Sequence, residues 1–163
     1  TSYIPTSGST ATRAADVATI PVSAFGYNSD AGSVVAEVVT PSVVTSKQNY
    51  VVGSNSASAR WLYNNANTTL NMFDGANVSN TSPVSVNSTQ KYASSSNQST
   101  MSIVIDGGTL DTDATNGNIP SLTTTLYIGG SAASPLYNWN GHIKSIKYYP
   151  RRLSNAQLQE LTT

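Results

Sequence analysis

Aromatic rings stand beside side-chain amides in this chain, a combination suited to binding sugars. Trp61 and Tyr63 are two residues apart, so on a β-strand both rings would project from one face, with Leu62 on the other. Asn64 follows directly and supplies amide donors and acceptors. Amphipathic rings suit the C–H face of a sugar, while amides bind its hydroxyls. The sequence predicts a carbohydrate platform at these residues; the alternative is that both rings are core and Leu62 faces outward.

A second alternating aromatic pair lies near the end of the chain. Tyr137 and Trp139 are flanked by Asn138 and Asn140, which repeats the pattern of rings beside amides. Tyr137 follows Pro135 in a turn-rich stretch, which favours a position in an accessible loop. We therefore include Tyr137 and Trp139 among the predicted ligand contacts.

Oxygen ligands recur at a spacing that a hard cation could use. Asp111, Asp113 and Asn116 stand at positions i, i+2 and i+5, and Gly117 could bend the loop. Calcium loops use this kind of spacing, although the glycine comes one place late for an EF-hand and no closing Glu follows. The alternative is an Asp/Asn-rich turn whose side chains bond their own backbone. We expect no cofactor from the sequence, apart from the Ca²⁺ ion that this pattern could bind.

The acidic residues do not form the pair that glycoside cleavage requires. That reaction uses two carboxylates about 5–10 Å apart, which alternate positions on one strand could supply. Glu37 stands alone among apolar residues, Glu160 lies in the terminal helical stretch, and Asp111 and Asp113 lie among turn residues. His142 is the sole histidine, and a lone strand histidine is more often a surface or packing residue. We expect no enzyme; a glycoside hydrolase or lyase with an unfamiliar site is the enzymatic alternative.

Composition narrows the classes of partner. Ser, Thr and Asn make up 61 of the 163 residues, whereas charged residues are only 10%. Eight Lys and Arg balance eight Asp and Glu, so the chain lacks the basic charge expected for binding nucleic acid. No apolar run reaches the roughly 18–20 residues of a membrane helix, and there is no cysteine. We therefore expect neither nucleic acid nor membrane insertion.

Short β-rich runs separated by turn clusters must position these residues. This pattern predicts an all-β sandwich or barrel. A short helix from Asn155 to Leu161 follows, capped by Ser154, and a bulge near Lys144–Ser145 would turn Ile143 and Ile146 to one face. The polar stretch Ser94–Thr100 is predicted as a loop. The expected strands are 33–39, 49–52, 59–63, 69–73, 84–86, 101–105, 125–128 and 142–149.

The two ends of the chain resemble a known family. The stretch Asn140–Leu158, with its Gly-His-Ile strand start and its Leu-Ser helix start, resembles the closing strand and helix of concanavalin A-like, laminin-G-like jelly-roll domains. Thr1–Asp16 looks like the connecting stretch that precedes such domains in bacteriophage tail-fibre proteins. The resemblance implies a jelly-roll β-sandwich with one C-terminal helix, a connecting segment over 1–16 and a carbohydrate-binding domain over 17–163.

On this resemblance we expect a non-catalytic, lectin-like module of a phage tail or adhesion protein. It would act at the virion surface or outside the cell, where it would bind a polysaccharide or cell-surface glycan. Other virion proteins are further partners. The alternative is a structural virion domain without a sugar ligand, which predicts an apolar patch for self-association instead of a groove with exposed rings.

Overall fold

Alternating apolar residues and frequent turns produce eleven antiparallel β-strands among the described residues. The computed structural model describes residues 8, 18–40, 48–54, 60–65, 69–75, 78–81, 84–114, 119–122, 124–131, 137–139 and 141–163. The strands are β1 Ala18–Pro21, β2 Ala31–Val39, β3 Gln48–Ser54, β4 Arg60–Asn65, β5 Thr69–Phe73, β6 Val78–Thr81, β7 Thr89–Asn97, β8 Met101–Ile105, β9 Asp111–Asp113, β10 Thr125–Ile128 and β11 His142–Tyr149. A 3₁₀ turn covers Val22–Ala24, and helix α1 covers Asn155–Thr162.

The strands form two sheets that enclose the main core. The six-stranded sheet has the order β1-β10-β3-β4-β5-β6, and the five-stranded sheet has the order β11-β2-β7-β8-β9. Apolar side chains of both sheets meet in one buried cluster, which includes Val38, Trp61, Leu70 and Ile103. This arrangement confirms the predicted all-β sandwich.

Helix α1 packs on the outside of the five-stranded sheet, as the capping signal predicts. The Ser154 hydroxyl accepts a bond from the Gln157 backbone N–H, and the Gln157 side chain accepts one from the Ser154 N–H, which forms a capping box. Leu153 and Leu158 are buried in a second cluster with Val35, Ala93 and Val104. No helix among the described residues is both long and apolar enough to cross a membrane.

The prediction of a loop at Ser94–Thr100 is wrong over its first part. Ser94, Ser95 and Ser96 lie on β7, between β2 and β8, and all three are buried. Ser94 Oγ donates to the Trp61 carbonyl and Ser95 Oγ to the Leu153 carbonyl, so neighbouring serines serve opposite faces of the sheet. A central strand covered on both faces has room for small side chains, and hydrogen bonds compensate their burial.

Strand β11 carries the expected bulge. Its register against β2 shifts between Ile143 and Ser145, and both Ile143 and Ile146 pack against the main core. Lys144, at the bulge, lies 3.3 Å from a Glu37 carboxylate oxygen on β2. Strand β11 therefore directs its apolar residues inward while keeping its lysine on the surface.

Candidate ligand-binding face

A bulge in β4 decides which of its side chains face outward. Arg60 pairs with Phe73 and Tyr63 pairs with Asn71, so three steps along β4 oppose two steps along β5. The consecutive residues Trp61 and Leu62 both enter the main core as a result. Arg60 and Tyr63 are thereby brought to the same side of the sheet, away from the core.

The outward side of the six-stranded sheet carries aromatic, amide and cationic groups around β4. Tyr50, Tyr63 and Asn71 are cross-strand partners on β3, β4 and β5 and share this side. We define the outer face as Gln48, Tyr50, Arg60, Tyr63, Asn71 and Phe73.

Arg60 is the centre of the outer face. Its guanidinium carbon lies 5.0 Å from the Phe73 ring centroid, 5.2 Å from that of Tyr63 and 5.3 Å from that of Tyr50. Each cation–π contact of this kind contributes roughly 0.5–2 kcal/mol. Burial raises the pKa of the Tyr50 and Tyr63 phenols, and the nearby Arg60 cation partly opposes that rise. Both phenols are therefore neutral at physiological pH.

The side-chain amides of Gln48 and Asn71 form hydrogen bonds at the outer face. The Tyr50 hydroxyl donates to Gln48 Oε1 at 3.0 Å, and Asn71 Nδ2 donates to the Thr69 carbonyl at 2.9 Å. Asn65, at the end of β4, is exposed. Segments 55–59, 66–68, 76–77 and 132–136, which adjoin these strands along the chain, lie outside the described residues.

Tyr137 is brought over the outer face by a short segment beside β3. Its ring centroid lies 5.4 Å from that of Tyr50, and its neighbour Asn138 forms a parallel bridge to Tyr50. Gly129 joins the segment to β3, because its N–H donates to the Val51 carbonyl and its own carbonyl accepts from Trp139 N–H. Tyr137 is partly exposed and is therefore available to a ligand.

Three of the five residues predicted as ligand contacts are core residues. Trp61 is fully buried and its ring meets Tyr148 edge-on, so the expectation that Trp61 and Tyr63 share an exposed face is wrong. The β4 bulge is the physical reason. Asn64 is also fully buried, on the side opposite Tyr63, and Trp139 is 8% exposed within the main core.

The other two predicted contacts lie at the outer face. Tyr63 is on it but only 3% exposed, so its ring supports Arg60 from below. Tyr137 is the more accessible of the two. Sequence reasoning missed Arg60, Tyr50 and Phe73. Consecutive bulky apolar residues, Trp61-Leu62, were the signal that a bulge interrupts the alternation.

The predicted metal ligands lie on the other sheet. Asp111 and Asp113 belong to edge strand β9, paired with Ile103 and Met101, so they are in a strand and not in a turn. Asn116 lies outside the described residues. Within the described part of the chain, no three His, Cys, Asp or Glu side chains come together as a metal site.

Several solved structures share this fold. The CBM40 domain of Ruminococcus gnavus IT-sialidase matches with a TM-score of 0.60 at 16% identity, over 82% of this chain and 83% of that one. Domain 4 of AbnA, a GH43 extracellular arabinanase from Geobacillus stearothermophilus solved with arabinotriose, matches with a TM-score of 0.61 at 16% identity, over 83% and 68%. Trypanosoma rangeli sialidase matches with a TM-score of 0.60 at 19% identity, over 82% of this chain but only 22% of the sialidase chain. At these identities the likeness shows the fold alone.

Sequence comparison identifies the family. A search of the curated proteins finds no match to this chain. A family model described as the concanavalin A-like lectin/glucanases superfamily matches residues 11–159, which include all eleven strands and the first five residues of α1. The predicted jelly-roll fold is thereby confirmed, and the chain belongs to the concanavalin A-like lectin/glucanases superfamily.

Proposed function

We propose that this chain is a non-catalytic carbohydrate-binding module whose site is the outer face together with Tyr137. The observation that carries the proposal is the position of Arg60 above three rings, with Tyr137 beside them. Phe73 and Tyr137 are partly exposed and offer apolar ring surface, while Gln48 and Asn65 offer amides. A sugar needs both kinds of surface, because it has apolar C–H patches and polar hydroxyls.

The acidic residues support binding without bond cleavage. Glu37 pairs with Lys144 on the five-stranded sheet, and Asp106 accepts bonds from the backbone of Lys91 and the side chain of Gln90. The six residues of the outer face include no carboxylate, and one carboxylate, that of Asp74, follows Phe73 directly along the chain. Hydrolysis of a glycoside by the usual route would need two carboxylates at the site.

Two of the structural neighbours agree with sugar binding. One is a CBM40 domain and another was solved with arabinotriose. Since one fold hosts many activities, these neighbours support the proposal by analogy. This chain spans only 22% of the Trypanosoma rangeli sialidase chain, so nothing of that enzyme's activity is transferred.

We also propose a setting for the module. It would belong to a phage tail or adhesion protein, act at the virion surface or outside the cell, and follow a connecting segment over residues 1–16. What supports this is the resemblance of Thr1–Asp16 to stretches that precede such domains in tail-fibre proteins. Many copies on one fibre would convert weak single sites into firm attachment by raising the effective concentration.

Binding and ring removal test the proposal together. Tyr137→Ala is expected to weaken glycan retardation in affinity electrophoresis about five- to tenfold, on the scale of the lower end of base–aromatic stacking. Tyr149→Ala is the matched control, since Tyr149 is a partly buried tyrosine that packs against the cluster under α1. A glycan array without any bound glycan, or binding lost in Tyr149→Ala and kept in Tyr137→Ala, would refute the proposal.

A second candidate function, a structural virion domain, is favoured by one observation. An apolar depression of about 440 Å³ opens between strands β1, β10 and β11 and is lined by residues that include Ile20, Phe25, Ile128, Ile143 and Ile146. Ile20 is 36% exposed. This candidate predicts self-association that Ile20→Asp abolishes, measured by light scattering across a concentration series, and no glycan on the array.

A further inference from the structure

We propose that the outer face selects glycans that carry a carboxylate, with Arg60 as the group that recognises it. This inference rests on the proposed function and names the ligand class of the same site. Arg60 carries a guanidinium cation, which presents several N–H donors in one plane. That geometry matches the two oxygens of a carboxylate better than it matches scattered neutral hydroxyls.

The rings hold the guanidinium before a ligand arrives. The Tyr50, Tyr63 and Phe73 ring centroids lie 5.0–5.3 Å from the guanidinium carbon, and the three rings come from three adjacent strands. A flexible arginine would lose rotamer freedom on binding, whereas one packed on a rigid sheet has lost most of it already. Hydrogen bonds between ionised partners are also about twice as strong as neutral ones.

The other charged side chains do not form a general basic surface around Arg60, so recognition of a carboxylate would depend on Arg60 itself. Net charge is zero, so the chain has no overall field to collect polyanions. Lys144 is paired with Glu37, and Lys91 Nζ donates to the Thr163 carbonyl. Among the described residues, the basic side chains other than Arg60 belong to the five-stranded sheet or to the turn before α1: Lys91, Lys144, Lys147, Arg151 and Arg152. A ligand bound through general charge would therefore favour the opposite side of the sandwich.

The ligand side of the test requires no variant. The chain is applied to an array of uronic-acid, sialic-acid, sulfated and neutral glycans, and the strongest binder is then compared with its carboxyl-reduced form. We expect a uronic- or sialic-acid glycan to bind best and carboxyl reduction to weaken it about ten- to hundredfold. A neutral or purely sulfated best binder, or equal affinity after reduction, would overturn the carboxylate inference while leaving sugar binding intact. An array without any binder would refute the proposed function itself.

The protein side of the test locates the charge. Arg60→Gln is expected to lose the same ten- to hundredfold for the acidic glycan, whereas Lys147→Gln, which removes an exposed charge on β11, is expected to change affinity less than twofold. Arg60→Lys keeps the charge but not the planar fork and is expected to lie between the two. Equal loss in the Arg60 and Lys147 variants would mean general charge attraction and would contradict the inference. Should Arg60→Gln fail to fold, the carboxyl-reduced ligand on the unaltered chain still decides.

Discussion

Replacing Trp61 with alanine separates a core role from a binding role. Trp61 is fully buried: it is 0% solvent-exposed, its ring meets that of Tyr148 edge-on at a centroid distance of 6.1 Å, and a Cβ placed on Gly32 would come within 2.6 Å of the indole. Hydrogen bonds between paired strands hold both sheets in place, so the sheets would close only part of the space that the indole leaves. Such a truncation costs about 3–5 kcal/mol, or a fall in Tm of roughly 6–20 °C for a domain of this size.

Thermal melting beside affinity electrophoresis measures both effects on the same variants. Trp61→Phe is the matched control: the indole N–H has no hydrogen-bond partner among the described residues, so the change removes volume alone and should cost about 1–2 kcal/mol. Tyr137→Ala should show the opposite profile, with a small change in Tm and a clear loss of binding. A Trp61→Ala chain that melts within about 2 °C of the parent but no longer binds glycan would refute this assignment.

Four further outcomes are expected. Gly53→Ala should lower the free energy of unfolding by about 1–3 kcal/mol and weaken glycan binding, because the added Cβ would clash with the Gly130 carbonyl oxygen. An unchanged melting temperature would contradict this close approach. Ser154→Ala should lower stability by about 1 kcal/mol through loss of the helix cap, as read from chemical denaturation, whereas an unchanged midpoint would mean that the cap contributes nothing. Millimolar Ca²⁺ should leave the Tm measured in chelator unchanged, and a clear rise would mean that the folded chain binds the ion, as a site at Asp111 and Asp113 requires. Burial raises the pKa of five phenols, those of Tyr27, Tyr50, Tyr63, Tyr92 and Tyr148. Stability should therefore hold below about pH 10 and fall as the pH rises through the pKa values of the folded state, as followed by melting and by tyrosinate absorbance. A melting temperature that stays constant up to about pH 12 would contradict this expectation.

The sandwich could be predicted from the sequence because its strands follow the local rules of apolar alternation and turns. Strands β2, β5, β8, β10 and β11 appear close to their expected limits, and the bulge in β11 was indicated by the odd spacing of Ile143 and Ile146. Strand β7 was missed, because its serines look like a solvated loop. In the fold, β2 and β8 pair with its two edges, and its serines are buried on both faces, Ser94 towards Trp61 and Ser95 towards Leu153. Whether a small polar residue is buried depends on its neighbours in space.

The site was harder to predict because the bulge in β4 changes which of its side chains share a face of the sheet. Strict alternation puts Trp61 with Tyr63 and Arg60 with Leu62, whereas the inserted step in β4 pairs Arg60 with Tyr63 and sends Trp61 inward. Of the residues predicted as rings beside amides, Trp61, Asn64 and Trp139 are buried in the core, and Tyr63 and Tyr137 lie at the outer face. Tyr50 and Phe73 join Arg60 only through strand pairing across the sheet, which no local window contains.

The pairing of β2 with β11 has a consequence for how the chain is made. Strand β2 ends at Val39 and its partner on one side begins at His142, so about a hundred residues must emerge from a ribosome before the two meet. Topologies dominated by such distant pairings fold slowly, on millisecond-to-second timescales. Until β11 arrives, β2 is an edge strand with an unpaired row of backbone groups, which is a template for aggregation. We expect chains shortened before His142 to precipitate during expression, and chains that retain β11 to remain in solution.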